Sequence, residues 1–187
     1  MATGFKLTRK GITAQLEPGE RSLLRGLFAD IVTMLEPPTP APEDPLAAMV
    51  GLDTSAEAPE DPALLRLLPN AVAGNDDDAL EFRRLTERSL REAKTGSLRA
   101  ASLALESSPL HLDHEQARHF AQALNDVRLV LGSRLGLKTD KDAEALHEIT
   151  GPGDAQDVDQ YLALIYNFVT WLQETLMKAL LDGLPRR

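Results

Sequence analysis

The stretch Val158-Asp159-Gln160-Tyr161-Leu162-Ala163-Leu164-Ile165-Tyr166-Asn167-Phe168-Val169-Thr170-Trp171-Leu172-Gln173-Glu174-Thr175-Leu176 decides the fold. Val158, Tyr161, Leu162, Leu164, Ile165, Phe168, Val169, Trp171, Leu172 and Leu176 recur at helical intervals, and no glycine or proline interrupts them. The pattern predicts a helix from about Asp154, just after the Gly-Pro-Gly break at 151–153, to Leu181. Its apolar arc covers about half the circumference, wider than the ~100° stripe of a helix that buries one side only. A helix of this kind belongs at the centre of a bundle or between two subunits.

Upstream, Asp113 and Gln116 form a capping box for a helix whose stripe is Phe120, Leu124, Val127 and Leu131. That helix ends near Gly132 and Gly136, which read as C-terminal capping and a turn rather than a phosphate cradle. A short helix is expected over Asp142 to His147. Asp76, Asp77 and Asp78 place carboxylates where the N–H groups of another helix start need them. On that helix Phe82, Leu85, Ser89, Leu90 and Ala93 share one side, expected to be core, and Arg83, Arg84, Arg88, Arg91, Lys94 and Arg99 the other; Gly96 is a candidate interruption and Pro109 the stop. At the N-terminus, Phe5 and Leu7, then Ile12, Ala14 and Leu16, alternate with polar residues across a turn at Arg9, Lys10 and Gly11, the pattern of a short hairpin. Two strands alone are marginal in water, so the hairpin must pack on helices or pair its edge. Pro18 and Glu20 open a helix carrying Leu23, Leu24, Leu27, Phe28, Ile31, Val32 and Leu35, closed by Pro37 and Pro38. The expected class is therefore mainly α: a helical bundle around a long C-terminal helix, with a small N-terminal β-hairpin. We read residues 1–187 as a single domain, with hairpin and first helix over 1–36, an excursion over 37–75 and the bundle over 76–187.

The charge is unevenly distributed. Lys and Arg number 20 against 29 Asp and Glu, a net charge of -9. Residues 36–78 hold 10 acidic residues against the single base Arg66, together with 8 of the 12 prolines, so the whole excess lies there. Ala-Pro-Glu-Asp-Pro occurs twice in this segment, at 41–45 and 58–62, each time ahead of an apolar patch, Leu46 to Val50 and Ala63 to Leu68. Asp-Pro suits a helix start, with Asp as the cap and Pro in the first turn. Two readings follow: an acidic linker with two short helical turns, or an arm whose Leu64, Leu65, Leu67 and Leu68 dock on the domain or on a partner.

Composition excludes some chemistry outright. With no cysteine, the chain has no disulfide, thiolate nucleophile, Cys-ligated metal or thiol switch. Net acidity is the wrong overall sign for coating nucleic acid or an anionic membrane. No stretch approaches the ~20 apolar residues of a membrane span, and Met1 to Lys10 lack a signal-peptide pattern, so cytoplasmic residence is expected. His114 and His119 are five apart, wrong for chelation from one helix face, and His111 and His147 add no metal spacing, so no metal is expected. No nucleophile elbow, phosphate loop or dinucleotide fingerprint occurs. Neither an enzyme nor a cofactor is expected.

Two constellations remain. Between residues 82 and 99 lie six basic and two acidic residues, Glu87 and Glu92. The resulting basic face, Arg83, Arg84, Arg88, Arg91 and Lys94, is either a solvated helix side or a contact for an acidic partner or a phosphate backbone. Direct DNA contact is the weaker of these, because all eight aromatics sit at core-like positions and none interleaves with the bases. Asp126, Arg128 and Arg134 lie on one apolar helix and Gln173 and Glu174 on another, so their packing would create a partly buried polar network. That network would set helix register, or line an interhelical pocket for a small molecule or a reaction. The wide arc and the lone hairpin both leave surface to cover, which predicts a homodimer.

Several segments together resemble an actinobacterial family, long known as a domain of unknown function and now named after the oxidative stress regulator AosR. They are Leu67-Leu68-Pro69-Asn70-Ala71, Glu81-Phe82-Arg83-Arg84-Leu85-Thr86, Leu124-Asn125-Asp126-Val127-Arg128-Leu129-Val130-Leu131-Gly132-Ser133-Arg134-Leu135-Gly136, and Tyr166-Asn167 with Trp171-Leu172-Gln173-Glu174. The resemblance implies a non-enzymatic transcription regulator of the stress response, acting with a sigma factor or RNA polymerase. Sensing through a cysteine pair, which the family's name-giving member is held to use, cannot carry over to a chain without cysteine.

Overall fold

A computed structural model describes residues 2–37, 57–72, 74–145 and 157–184. In chain order the elements are β1 (Thr3–Thr8), β2 (Gly11–Gln15), α1 (Pro18–Met34), α2 (Pro62–Leu67), α3 (Asp76–Ala104), β3 (Leu110–Leu112), α4 (His114–Arg134), α5 (Asp140–Ala145) and α6 (Val158–Asp182). The architecture is mainly α with a small antiparallel sheet, as expected, but the sheet has three strands in the order β1-β2-β3. The third is Leu110-His111-Leu112, where the sequence pattern gave only a helix stop at Pro109. It pairs Ile12 with Leu112, Thr13 with His111 and Ala14 with Leu110, covering the free edge of the hairpin.

The sheet also packs on α6. The β1–β2 register shifts between Thr3 and Lys6, which frees the Phe5 N–H to donate to Thr175 Oγ1 at 3.1 Å. Gly4 is required at this approach, since a Cβ there would meet Thr175 Cγ2 at 2.8 Å. Phe5, Phe28 and Phe120 meet edge to face, with ring centroids 5.4 and 5.9 Å apart, and bind sheet, α1 and α4 into one continuous core. The long C-terminal helix α6 packs on α4 along one side and on β1 along another, while α4 also carries α2 and α3.

Local sequence explains the helix ends. Glu17 and Glu20 form a capping box at α1, with Pro18 in the first turn. Asp113 and Gln116 do the same at α4. At the other end of α4, Leu137 N–H bonds Gly132 O and Gly136 N–H bonds Ser133 O around Gly136 at φ 68°, a Schellman turn. Gly132 lies inside the helix for another reason: Arg66 passes over it, and a Cβ would sit 3.3 Å from Nη1. Gly96 does not interrupt α3, which runs unbroken for 29 residues.

Within the acidic segment, the second Asp-Pro opens α2, where the Asp61 side chain accepts from Ala63 N–H at 2.9 Å. Ala63, Leu67 and Leu68 are buried and α2 packs on α4, while Leu65 is exposed. This part of the segment is a docked arm. The first Ala-Pro-Glu-Asp-Pro copy and the patch from Leu46 to Val50 lie outside the described residues, as do His147 and the break at 151–153.

Candidate functional site

Helix α3 is turned the opposite way from its sequence pattern. Phe82 is 45 % exposed and Leu85 56 %, and Ser89, Leu90 and Ala93 are exposed as well. Arg83 is only 6 % exposed and Glu87 8 %. The cause is a set of acceptors that the helix sequence does not contain. Arg83 pairs with Glu87, and its Nη2 donates to Leu68 O at 2.9 Å and Asn70 Oδ1 at 2.8 Å. Arg91 pairs with the same Glu87 at 2.7 Å and donates to Leu35 O at 3.0 Å. The two guanidiniums thus tie down the C-terminal carbonyls of α1 and α2, where a helix presents negative potential. Glu87 lies between them and offsets their burial.

Lys94 is also directed inward. Its ammonium meets Asp126 Oδ1 at 2.6 Å, and the Asp126 side chain is only 3 % exposed. Burial pushes the Asp126 carboxyl above its ordinary value, more strongly than the hydrogen bond and charge of Lys94 pull it down. The expected common basic face therefore divides. Arg83, Arg91 and Lys94 have internal partners, whereas Arg84 and Arg88 are exposed, Arg88 with Glu92 at 3.1 Å.

The expected polar network also resolves into separate contacts. Arg128 donates to Gln173 Oε1 at 2.9 Å and lies 5.5 Å over the Tyr166 ring. Arg134 reaches Asp61 Oδ2 at 2.6 Å, across to α2. There the Asp61 carboxyl experiences burial, which raises its pKa, but the Ala63 N–H and Arg134 hold it below the ordinary value. Asp126 belongs to Lys94, and Glu174 is exposed and pairs with no described residue. Arg128 and Gln173 are the one hydrogen-bonded pair within that set among the described residues.

An interhelical groove is present, but its lining differs from the one expected: of the expected set Asp126 and Gln173 line it, and Lys94 joins them from α3. Its floor is α4, its walls are α3 and α6, and its volume is about 350 Å³. Leu90, Ala93, Ala121 and Met177 supply apolar surface, and Lys94 and Asp126 meet at its base with Ser97, Gln122, Asn125 and Gln173 around them. Ser97 Oγ donates to Gln122 Oε1 at 2.7 Å. The exposed Phe82 and Leu85 continue the apolar surface along α3. The eight aromatics are thus not all core: Phe82, Tyr161 and Trp171 are exposed. The same residues form the apolar side of α3 in the sequence pattern, where that side reads as core. Among the described residues, no three metal-ligating side chains come together, and no helix is long and apolar enough to cross a membrane.

Among the described residues, this helical bundle leaves the apolar side of α3 uncovered beside the groove. The chain belongs to the family described as a domain of unknown function, DUF2017, which matches residues 2–180. It is 30 % identical over 198 aligned positions to the oxidative stress regulator AosR of Mycobacterium tuberculosis and to that of Mycobacterium bovis, with 94 % of this chain and 86 % of theirs covered. No solved structure matches it.

Proposed function

We propose that this protein is a non-enzymatic, cytoplasmic regulator of the stress response that works by binding another protein through the outer side of α3 and the groove beside it. The observation that carries this reading is the rotation of α3: Phe82, Leu85 and Leu90 are held at the surface while an Arg-Glu-Arg triad is buried beneath them. Exposed apolar surface rimmed by polar residues marks interaction sites. The names of the curated relatives support the regulatory role. The partner we assign is a sigma factor or RNA polymerase. The decisive experiment is binding of purified polymerase and sigma factors to the wild type and to a Phe82→Asp/Leu85→Asp variant. We expect at least a tenfold loss in the variant; equal binding, or no binding to any of these proteins, overturns the assignment. Because the chain has no cysteine, thiol oxidants acting on it should leave binding unchanged.

We also propose a homodimer. Tyr161, Leu164, Phe168 and Trp171 follow one another at helical spacing on α6, and the Phe168 and Trp171 rings stack with centroids 6.2 Å apart. Tyr161 and Trp171 remain exposed. Sedimentation should show a dimer at micromolar concentration and a monomer for Trp171→Glu; a wild-type monomer removes the proposal.

A second reading rests on the groove itself, whose size falls in the range of small-molecule pockets and whose base holds the buried Lys94–Asp126 pair. Thermal-shift screening of metabolites against the wild type and Asp126→Asn would support it only through a ligand whose stabilisation disappears in the variant.

A further inference from the structure

The hydrogen bonds already made by the side chains that line the groove fix what a ligand there would have to supply. From them we infer that the groove takes a small carboxylate, its charged end on Lys94 and Gln173 and its apolar body against the walls. The inference rests on the small-molecule reading above and names the chemical class of the ligand. Gln173 supplies the firmest step. A guanidinium has donors only, and Arg128 Nη1 donates to Gln173 Oε1 at 2.9 Å, so the amide carbonyl is committed to a residue outside the lining. The NH2 is then the end of Gln173 left for the groove, and it bonds no described residue. Gln122 is in the same state: its Oε1 accepts from Ser97 Oγ at 2.7 Å, and its NH2 bonds no described residue. Lys94 has three N–H donors, of which Asp126 Oδ1 takes one at 2.6 Å. Within that pair the Lys94 side chain is 19 % exposed and Asp126 3 %, so the ammonium and not the carboxylate is turned to the open groove. Side-chain acceptors are thus largely spent while donors remain free, which selects a ligand that brings acceptors.

A carboxylate meets these donors best. Its two oxygens accept from an ammonium and from an amide NH2 at once, and a bond between charged groups is stronger than one to a neutral carbonyl. Asp126 holds the ammonium at the base of the groove, so the ligand meets a positioned donor rather than a long side chain free in solvent. Leu90 and Ala93 from α3, Ala121 from α4 and Met177 from α6 offer apolar contacts to a short hydrocarbon body. The exposed charges around the groove cancel: Arg118, one turn before Gln122, and Lys178, beside Met177, are offset by Glu115 and by Glu174, beside Gln173. The preference for a carboxylate therefore comes from the groove's own donors and not from a surrounding field.

The test titrates the full chain with hexanoate, hexanol and hexylamine, which share an alkyl body and differ in the head, and follows the side-chain amide signals of Gln173 and Asn125 by NMR. Hexanoate should bind about tenfold more tightly than hexanol, the worth of a hydrogen bond to a charged group, and hexylamine more weakly still. Gln173→Glu keeps an acceptor for Arg128 but removes the NH2, so hexanoate should bind about tenfold more weakly there while the urea midpoint does not fall. Ala93→Trp, which fills the groove from an exposed position, should abolish binding. Hexanoate binding no tighter than hexanol, or undiminished in Gln173→Glu, overturns the inference. If hexanol or hexylamine binds instead and Ala93→Trp blocks it, the carboxylate is refuted and the small-molecule reading stands. If none of the probes binds the wild type, both fall.

Discussion

Exchanging neighbouring residues on α3 tests its rotation directly. Arg83→Ala removes the partner of Glu87 and two hydrogen bonds, to Leu68 O and Asn70 Oδ1. The Glu87 side chain is 9 % exposed and would retain only Arg91. Breaking a buried pair from one side costs about 3–5 kcal/mol, mostly because the surviving charge is stranded. We expect a loss near the lower end, since Arg91 still reaches Glu87, which for a chain of this length lowers Tm by about 6–12 °C. Phe82→Glu, one residue away, should change stability by no more than about 0.5 kcal/mol, the usual range for surface positions. Arg83→Met/Glu87→Met/Arg91→Met, which removes all three charges of the triad, should recover much of what Arg83→Ala loses. Urea unfolding followed by far-UV circular dichroism reads all three. Had α3 the orientation its residue pattern suggests, the order would reverse: Phe82→Glu would cost more than about 3 kcal/mol, the cost of emptying a core aromatic site, and Arg83→Ala almost nothing. That reversed order would refute the reasoning, and with it the exposed face on which the proposed function rests.

Two further outcomes follow from single positions. Gly11 has φ 111°, and a Cβ there would lie 2.7 Å from Leu112 O, so Gly11→Ala should cost about 1–3 kcal/mol; Gly96→Ala, with open space around it inside α3, should instead gain about 0.5–1 kcal/mol, and equal effects in urea unfolding would contradict both. Asp126 holds its proton to higher pH in the folded chain than its ordinary value of 3.8. The folded state therefore binds more protons than the unfolded state between 3.8 and the raised value, so its contribution to stability falls as pH rises through that window and is flat above it. Subtracting the stability curve of Asp126→Asn from that of the wild type should expose this decline, and a flat difference would refute it.

Much of the fold was legible because its signals are local. The capping box at Asp113 and Gln116, the Asp-Pro start at Asp61 and the helical stripes on α4 and α6 are short-range patterns, and the structure follows them. Strand β3 was not legible: Leu110-His111-Leu112 is three residues, too short to show periodicity, and becomes a strand only because β2 offers an edge. The rotation of α3 was not legible either, because its causes lie elsewhere in the chain. Leu35 O and Leu68 O attract Arg91 and Arg83 inward, and neither acceptor can be inferred from residues 76–104. One hint was present. Arg83, Glu87 and Arg91 stand four apart with alternating sign, a row that can satisfy its own charges inside a protein as well as on its surface. Reading the polar side of a helix as the wet side overlooks that possibility, and the exposed apolar side of α3 is missed with it.

The rotation also bears on why the face exists. A helix with an apolar side and a charged side could bury the first at no electrostatic cost, yet here the apolar residues from Phe82 to Ala93 stay in water while a triad of charges is desolvated. Natural sequences are mostly consistent between local preference and global fold, and departures concentrate where function demands them. Arg83 and Arg91 supply the compensation, since each fastens the end of another helix. The same contacts that hold α1 and α2 in place also keep the apolar side of α3 outward. Weakening them should therefore loosen both docked helix ends and the presentation of the groove together. Fold stability and the outward presentation of the apolar side of α3 are coupled through those two arginines, although neither side chain lies on that side.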